Sequence, residues 1–370
     1  SFGPLLLSIQ AKINKTNPAR IDMREKSLEI INATMKESEA KRIKYSSYQS
    51  GVSNAWKKWQ GENFGLIKEK CLEKKIANEA EFTKRVNADA SLKRQYGELL
   101  PKLKKLYQDN APYQQAFDYY IEMIYSGPKS VRYINGFVSI IENQEKLRES
   151  GKLEAEIEKL KKSYQAFTGD MGQMEFEKKM WKSLYGTAIS NIDKSFVASN
   201  LSGQNLDKMI DQMFKKSMFF NNGKMMKRLN NPSERNLNKI KKDKGYIMVK
   251  DFYNVLRRKV IPNYYDNQDK ITALMKDYSK AIQTVFPDKK YWYDANSTLR
   301  VSYGKIEGSA PRDGMKYTHY TTAEGIMAKY IPGNDEFDAP DKLLKLIENK
   351  DYGMYSNGDN DLVICFTGSN

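Results

Sequence analysis

Pro287 separates two kinds of periodicity in this chain, and that change limits the folds open to it more than any other feature. From Asn17 to about Phe286, apolar residues recur three and four positions apart almost without interruption, the spacing that lays one stripe along an α-helix. Met23, Leu28, Ile31 and Met35 open the series, and Phe117, Tyr120, Ile121, Ile124 and Tyr125 form its strongest stripe. Leu153, Ile157, Leu160 and Tyr164 step by four, three and four, a short coiled-coil-like seam between packed helices. Breaks are expected at Pro101, at Asn110-Ala111-Pro112 and at Gly127-Pro128. Asn17-Pro18 reads as a helix entry, with Asn17 as cap. After Pro287, Leu299, Val301 and Tyr303 alternate with Thr298, Arg300 and Ser302, which predicts a half-buried strand within 295–308, returning over 315–322. A short helix follows over 338–350, and Leu362 to Phe366 reads as a buried strand. The expected fold class is mainly α: an entry segment over 1–16, a large helical domain over 17–287, and the start of a β domain over 288–370.

The 370 residues are enough for two domains. Charged residues at 29%, aromatics at 12% and a mean hydropathy of −0.73 fit long helices with wide solvated faces better than disorder. A net charge of +16 admits nucleic acid, acidic peptides or an anionic surface as partners. Lys and Glu alternate along most helical stretches, however, and no run reaches five like charges, the pattern of a solvated helical surface. Cys71 and Cys365 lie far apart and His319 is the only histidine, so no metal site and no cofactor is expected. His319, in KYTHYTT, has no Ser or Cys motif beside it and reads as a structural strand histidine, not a general base. Asn334, Asp335, Glu336 and Asp338 lack calcium-loop spacing and read as an exposed turn. Tyr264-Tyr265 and Tyr291-Trp292-Tyr293 read as packing groups, not a platform for bases. No apolar run approaches the ~20 residues of a membrane span. The chain opens on SFGPLLLSIQ and ends on LVICFTGSN, and reads as an internal segment of something longer.

One helical stretch differs from the rest. In residues 42–61, Tyr45, Tyr48, Val52, Ala55, Trp56 and Trp59 fall on one face, and Ser47, Ser50, Gly51, Asn54 and Gly61 on the other, with Lys58 beside them. A small-residue face lets something approach the helix backbone closely. Another helix is the ordinary occupant; a ligand whose polar group meets Asn54 is the alternative.

The same stretch carries a resemblance. NPARIDMRE (17–25), RIKY followed by S-x-x-N-x-W-K, FFNNGKMMKRLNNPS (219–233), DANSTLRVSYGKIEGSAPRD (294–313) with YTHYTT (317–322), and NDLVICFTGSN (360–370) form five blocks in order. Together they resemble the bacterial serine dipeptidyl-peptidases of the dipeptidyl-peptidase seven and eleven type. The resemblance implies a chymotrypsin-like double β-barrel with an inserted helical domain capping the cleft. Residues 1–16 would then leave the first barrel and 288–370 begin the second. It implies release of dipeptides from the free amino terminus of oligopeptides, a homodimer, no nucleic-acid partner, and a periplasmic or cell-surface location. It implies acyl transfer to a serine activated by histidine and aspartate, with backbone N–H groups holding the oxyanion. The family's histidine and aspartate precede residue 1, and its TGGNSGSP serine block would follow Asn370, so no catalytic residue is expected within the chain and the segment alone should be inactive. Asn54 matches the family's asparagine that helps bind the substrate's α-amino group. The competing expectation is a non-enzymatic basic helical module binding nucleic acid or an anionic surface.

Overall fold

Helical backbone begins at Leu6, ahead of the Asn17-Pro18 pair, in the computed structural model, which describes residues 6–168, 173–198, 205–291, 296–299, 301, 303–334 and 336–368. Expectations for Trp292, Tyr293, Arg300, Ser302 and Asp335 lie outside the described residues. α1 (Leu6–Ala11) runs through a π-helical turn, Lys12–Thr16, into α2 (Asn17–Met35). Pro18 has no N–H to donate, and the wider turn just before it is where the hydrogen-bond register slips by one residue. Asn17 is therefore not a cap. It is buried, and its Nδ2 donates to Glu62 Oε2 (3.1 Å) and Asn63 Oδ1 (2.8 Å).

α3 (Glu39–Lys68) starts where the Ser38 hydroxyl accepts the Lys41 N–H, and its helix continues unbroken through Gly61 and Gly65. Lys70, in the left-handed region at φ 49°, turns the chain into α4 (Cys71–Ala88). Asp89 caps α5 (Ala90–Tyr96) by accepting from the Ser91 and Leu92 N–H groups. α6 (Leu99–Tyr125) takes Pro101 in its first turn and passes through Pro112, so the expected break there does not occur. A proline inside a helix costs about 3 kcal/mol; α6 stays continuous because Leu103 is buried in one core and Tyr119, Tyr120 and Met123 in another. Gly127-Pro128 does end the helix. α7 (Lys129–Glu142), α8 (Gln144–Glu149) and α9 (Leu153–Thr168) follow, and all four seam residues of α9 are buried against α7.

α10 (Gln173–Met180), α11 (Gly186–Asn191), α12 (Leu206–Lys216), α13 (Asn222–Leu229), α14 (Glu234–Lys241), α15 (Lys244–Val255) and α16 (Ile261–Val285) complete the helical unit, which ends at residue 291. Its main core is aliphatic with large aromatic rings set into it: Phe137, Trp181, Tyr185, Phe219 and Phe252 are fully or almost fully buried. A smaller core joins α4, α6 and α16 through Phe82, Val86, Leu103, Tyr278 and Val285. Among the described residues no helix is long and apolar enough to cross a membrane.

The second unit, from residue 292, is small. β1 (Ser309–Arg312) and β2 (Met315–Tyr317) pair antiparallel around Asp313-Gly314, where Gly314 takes φ +69°. β3 (Tyr320–Thr322) pairs antiparallel with β4 (Val363–Phe366). Between them lie α17 (Glu324–Lys329) and α18 (Asp341–Glu348), the latter entered at Pro340, over a core of Ala323, Ile347 and Tyr352. Two expectations fail here. Among the described residues the strand begins at Ser309, and Leu299, Val301 and Tyr303 are 95%, 76% and 85% exposed. β4 forms, but Ile364 and Phe366 are exposed. Alternation specifies a strand only where a partner edge and a covering layer exist. Opposite 296–308 the described residues supply only the single bridge Ile306–Gly368.

Candidate functional site

α3 is fixed from one side only. Tyr45 and Val52 are buried in the main core, and Tyr48 and Trp56 pack against it. The Tyr45 ring meets Phe176 at 4.7 Å, and the Tyr48 hydroxyl donates to the Ser126 and Gly127 carbonyls, both at 2.9 Å. Burial pushes the Tyr48 phenol well above the ordinary tyrosine value. Trp59 lies under two guanidinium groups, Arg20 at 5.2 Å and Arg24 at 4.8 Å, a cation–π arrangement.

Those arginines form the anchor. Arg20 and Arg24 stand one turn apart on α2, and Asp118 and Glu122 one turn apart on α6, so two parallel helices meet in two rungs. Arg20 Nη2 reaches Asp118 Oδ1 at 2.7 Å, and Arg24 Nε reaches Glu122 Oε2 at 2.8 Å. Both carboxylates are almost wholly buried. Burial raises their pKa values above the ordinary carboxylate range, with the adjacent arginine pulling each back down. Arg24 does more than neutralise Glu122: its Nη1 also donates to the carbonyls of Gly51 and Val52, at 3.3 and 3.2 Å. One side chain thereby ties α2, α6 and the middle of α3 together.

The opposite face of α3 is bare. Ser47, Ser50, Gly51, Asn54, Lys58 and Gly61 are all exposed, and a Cβ added at Gly51, Gly61 or Gly65 would meet nothing within 4 Å. Helix-on-helix packing, the ordinary expectation for a small-residue face, is not what the helical unit does with it. Asn54 sits at the centre of this face, and its side chain makes no hydrogen bond among the described residues. The Gly51 and Val52 carbonyls that Arg24 grips lie within one turn of it.

The other sequence candidates do not join it. His319 is exposed at the bend between β2 and β3, outside any strand; its ring meets Tyr320 edge-on and its carbonyl accepts the Thr367 N–H at 2.8 Å. Cys71 and Cys365 are free thiols. Asn334 Oδ1 accepts the N–H groups of Glu336 and Phe337, closing a turn, and no His, Cys, Asp and Glu cluster fit for a metal occurs among the described residues. Tyr264 stacks on Phe117 at 4.2 Å, as a packing group.

The model of the peptidase S46 family matches residues 5–370. The chain belongs to that family. An Asp/Glu-specific dipeptidyl-peptidase of Flavobacterium psychrophilum is 34% identical over 361 residues, 97% of this chain and 50% of that protein. A dipeptidyl-peptidase 7 of Porphyromonas endodontalis is 30% identical, covering 98% of this chain and 43% of its own length. The crystal structure of Porphyromonas endodontalis DPP11 in complex with the dipeptide Arg-Glu has the same fold over 98% of this chain and 52% of that chain, at a TM-score of 0.74 and 22% identity. This S46 chain thus spans about half the length of the relatives it matches. Sequence reasoning singled out the small-residue face around Asn54, which the structure leaves exposed, but missed the Arg24–Glu122 anchor behind it. The signal was present: two arginines four apart in NPARIDMRE and two acids four apart at 118 and 122.

Proposed function

We propose that this S46 chain is the capping half of a serine dipeptidyl-peptidase, and that Asn54 receives the free α-ammonium of an oligopeptide substrate. The observation that carries the reading is the bare face of α3. A 30-residue helix is bound tightly from behind by Arg24, while its front is left open around one asparagine. An asparagine carbonyl accepts from an ammonium without the desolvation cost of a buried carboxylate. A helix held rigidly over a cleft works as a ruler, fixing the amine so that the second peptide bond, and no other, reaches the nucleophile. The nucleophilic serine with its histidine and aspartate would come from flanking sequence, and the complete protein would act as a homodimer in the periplasm or at the cell surface. The dipeptidyl-peptidase names of the relatives and the dipeptide bound in the related crystal structure support this reading.

The test compares free and N-acetylated peptides on the protein that carries the flanking sequence. Acetylation and Asn54→Ala are each expected to lower kcat/KM by about tenfold or more, the loss of a hydrogen bond to a charged group being worth about 1.5–3 kcal/mol. Acetylated peptides should also be insensitive to Asn54→Ala. Equal cleavage of free and acetylated peptides would end the amine-ruler reading.

A further inference from the structure

α13 and α14 pack as a hairpin with Met225, Leu229, Leu237 and Ile240 buried beneath it. Residues 222–242 carry seven Lys and Arg against one acid, Glu234. Along the sequence these charges are spaced like any solvated face; the hairpin brings them together. Arg228, then Arg235 and Lys227, repel the Lys239 ammonium and lower its pKa. Arg228 is oriented by Asn236 Oδ1 at 2.9 Å, and Glu234 is turned toward Arg148 at 3.9 Å. Among the described residues, Lys224, Lys227, Arg235, Lys239 and Lys242 form no ion pair.

We propose that this hairpin docks the protein on an anionic lipid bilayer. Unneutralised like charge gathered on one surface is stabilised by a surface of opposite sign. Five of the seven basic residues are lysines, whose compact, strongly hydrated ammonium suits the diffuse charge of headgroups better than the bidentate recognition that favours arginine. No large hydrophobic residue within 222–242 is exposed, so the patch offers bases no aromatic face to stack on. The mode is electrostatic and peripheral, without insertion.

Sedimentation of the full chain with phosphatidylcholine vesicles, with and without phosphatidylglycerol, tests this across a salt titration. Binding is expected only with phosphatidylglycerol and should weaken as salt rises. Each basic residue at such a surface multiplies binding by about fivefold, so Lys224→Glu, Lys227→Glu and Lys239→Glu together should weaken it by about a hundredfold or more. The three Lys→Gln changes, milder for folding, should give a smaller loss of the same kind. The same reversals at Lys93, Lys102 and Lys104, exposed on α5 and α6, should leave binding within about threefold. Equal losses from the two reversed triples would show overall charge at work and overturn the proposal. So would an absence of binding to phosphatidylglycerol vesicles at low salt, or tighter binding to duplex DNA than to vesicles at the same salt.

Discussion

Replacing Arg24 with methionine should destabilise the helical unit by about 3–5 kcal/mol at neutral pH, read as a lower urea midpoint. Removing one partner of a buried pair leaves the other charge uncompensated, and Glu122 is 5% exposed. Burial already raises the Glu122 pKa against the pull of Arg24. A carboxyl with a raised folded pKa binds its proton more tightly when folded than when unfolded. Its contribution is therefore most favourable at low pH, declines as pH rises from the ordinary value of 4.5 through the raised folded value, and is level above it. Without Arg24 the folded value rises further and the decline steepens, so the cost of the substitution should shrink toward acid pH. Arg24→Met with Glu122→Gln should recover much of the loss. Arg24→Lys keeps the charge but not the fork that reaches both the carboxylate and the Gly51 and Val52 carbonyls. Its stability cost should be smaller, yet amide exchange around Asn54 should still quicken. A loss below about 1 kcal/mol, flat with pH, would show that the pair is not the anchor described.

The helical fold was readable because period survives without context. The α9 seam is buried residue for residue, whereas of the α6 stripe only Tyr120 is buried and Tyr125 is 60% exposed, the buried face having turned toward Tyr119 and Met123. What failed were single-residue signals that packing can override. Pro112 reads as a break in isolation, but burial on both sides of it outweighs one missing hydrogen bond. Asn17-Pro18 reads as a start, but the preceding π turn absorbs the same defect within a continuous helix. In the β portion, the pattern around Leu299 to Tyr303 names a strand that needs neighbours to pair with, and local alternation cannot supply them.

The small-residue face of α3 was readable, and what anchors the helix behind it was hidden. Small residues opposite an aromatic stripe mark α3 as unusual, and the choice between packing and exposure is a question of what lies opposite, which only the fold answers. The pairing of Arg20 and Arg24 could not be read from the sequence because their partners are 98 positions away. The same limit hid the patch on α13 and α14: sequence spacing separates charges that a hairpin stacks. Long-range electrostatics is a property of the folded arrangement, so composition gives its sum and not its position.

Glu177→Ala should cost the helical unit at least about 3 kcal/mol, the second large effect expected in urea unfolding. Glu177 is fully buried and accepts the N–H groups of Lys129 (3.0 Å) and Ser130 (2.9 Å) and the Ser130 hydroxyl (2.6 Å). It thus closes the amino end of α7, where Pro128 provides no side-chain cap. Trp181 Nε1 donates to the same Ser130 hydroxyl at 2.8 Å, so the carboxylate also orders the largest side chain of the core. Each buried donor left without an acceptor costs about 1–3 kcal/mol, and alanine leaves three. Glutamine retains the shape and one acceptor oxygen, so its cost should be smaller. Burial raises the Glu177 pKa, the Ser130 and Lys129 donors opposing it. The wild-type chain should accordingly lose some stability as pH rises from 4.5 through the raised folded value. Glu177→Gln, which cannot titrate, should lose that slope and narrow its deficit at higher pH. If alanine and glutamine unfolded together at every pH, the carboxylate would be filling space and not closing the helix.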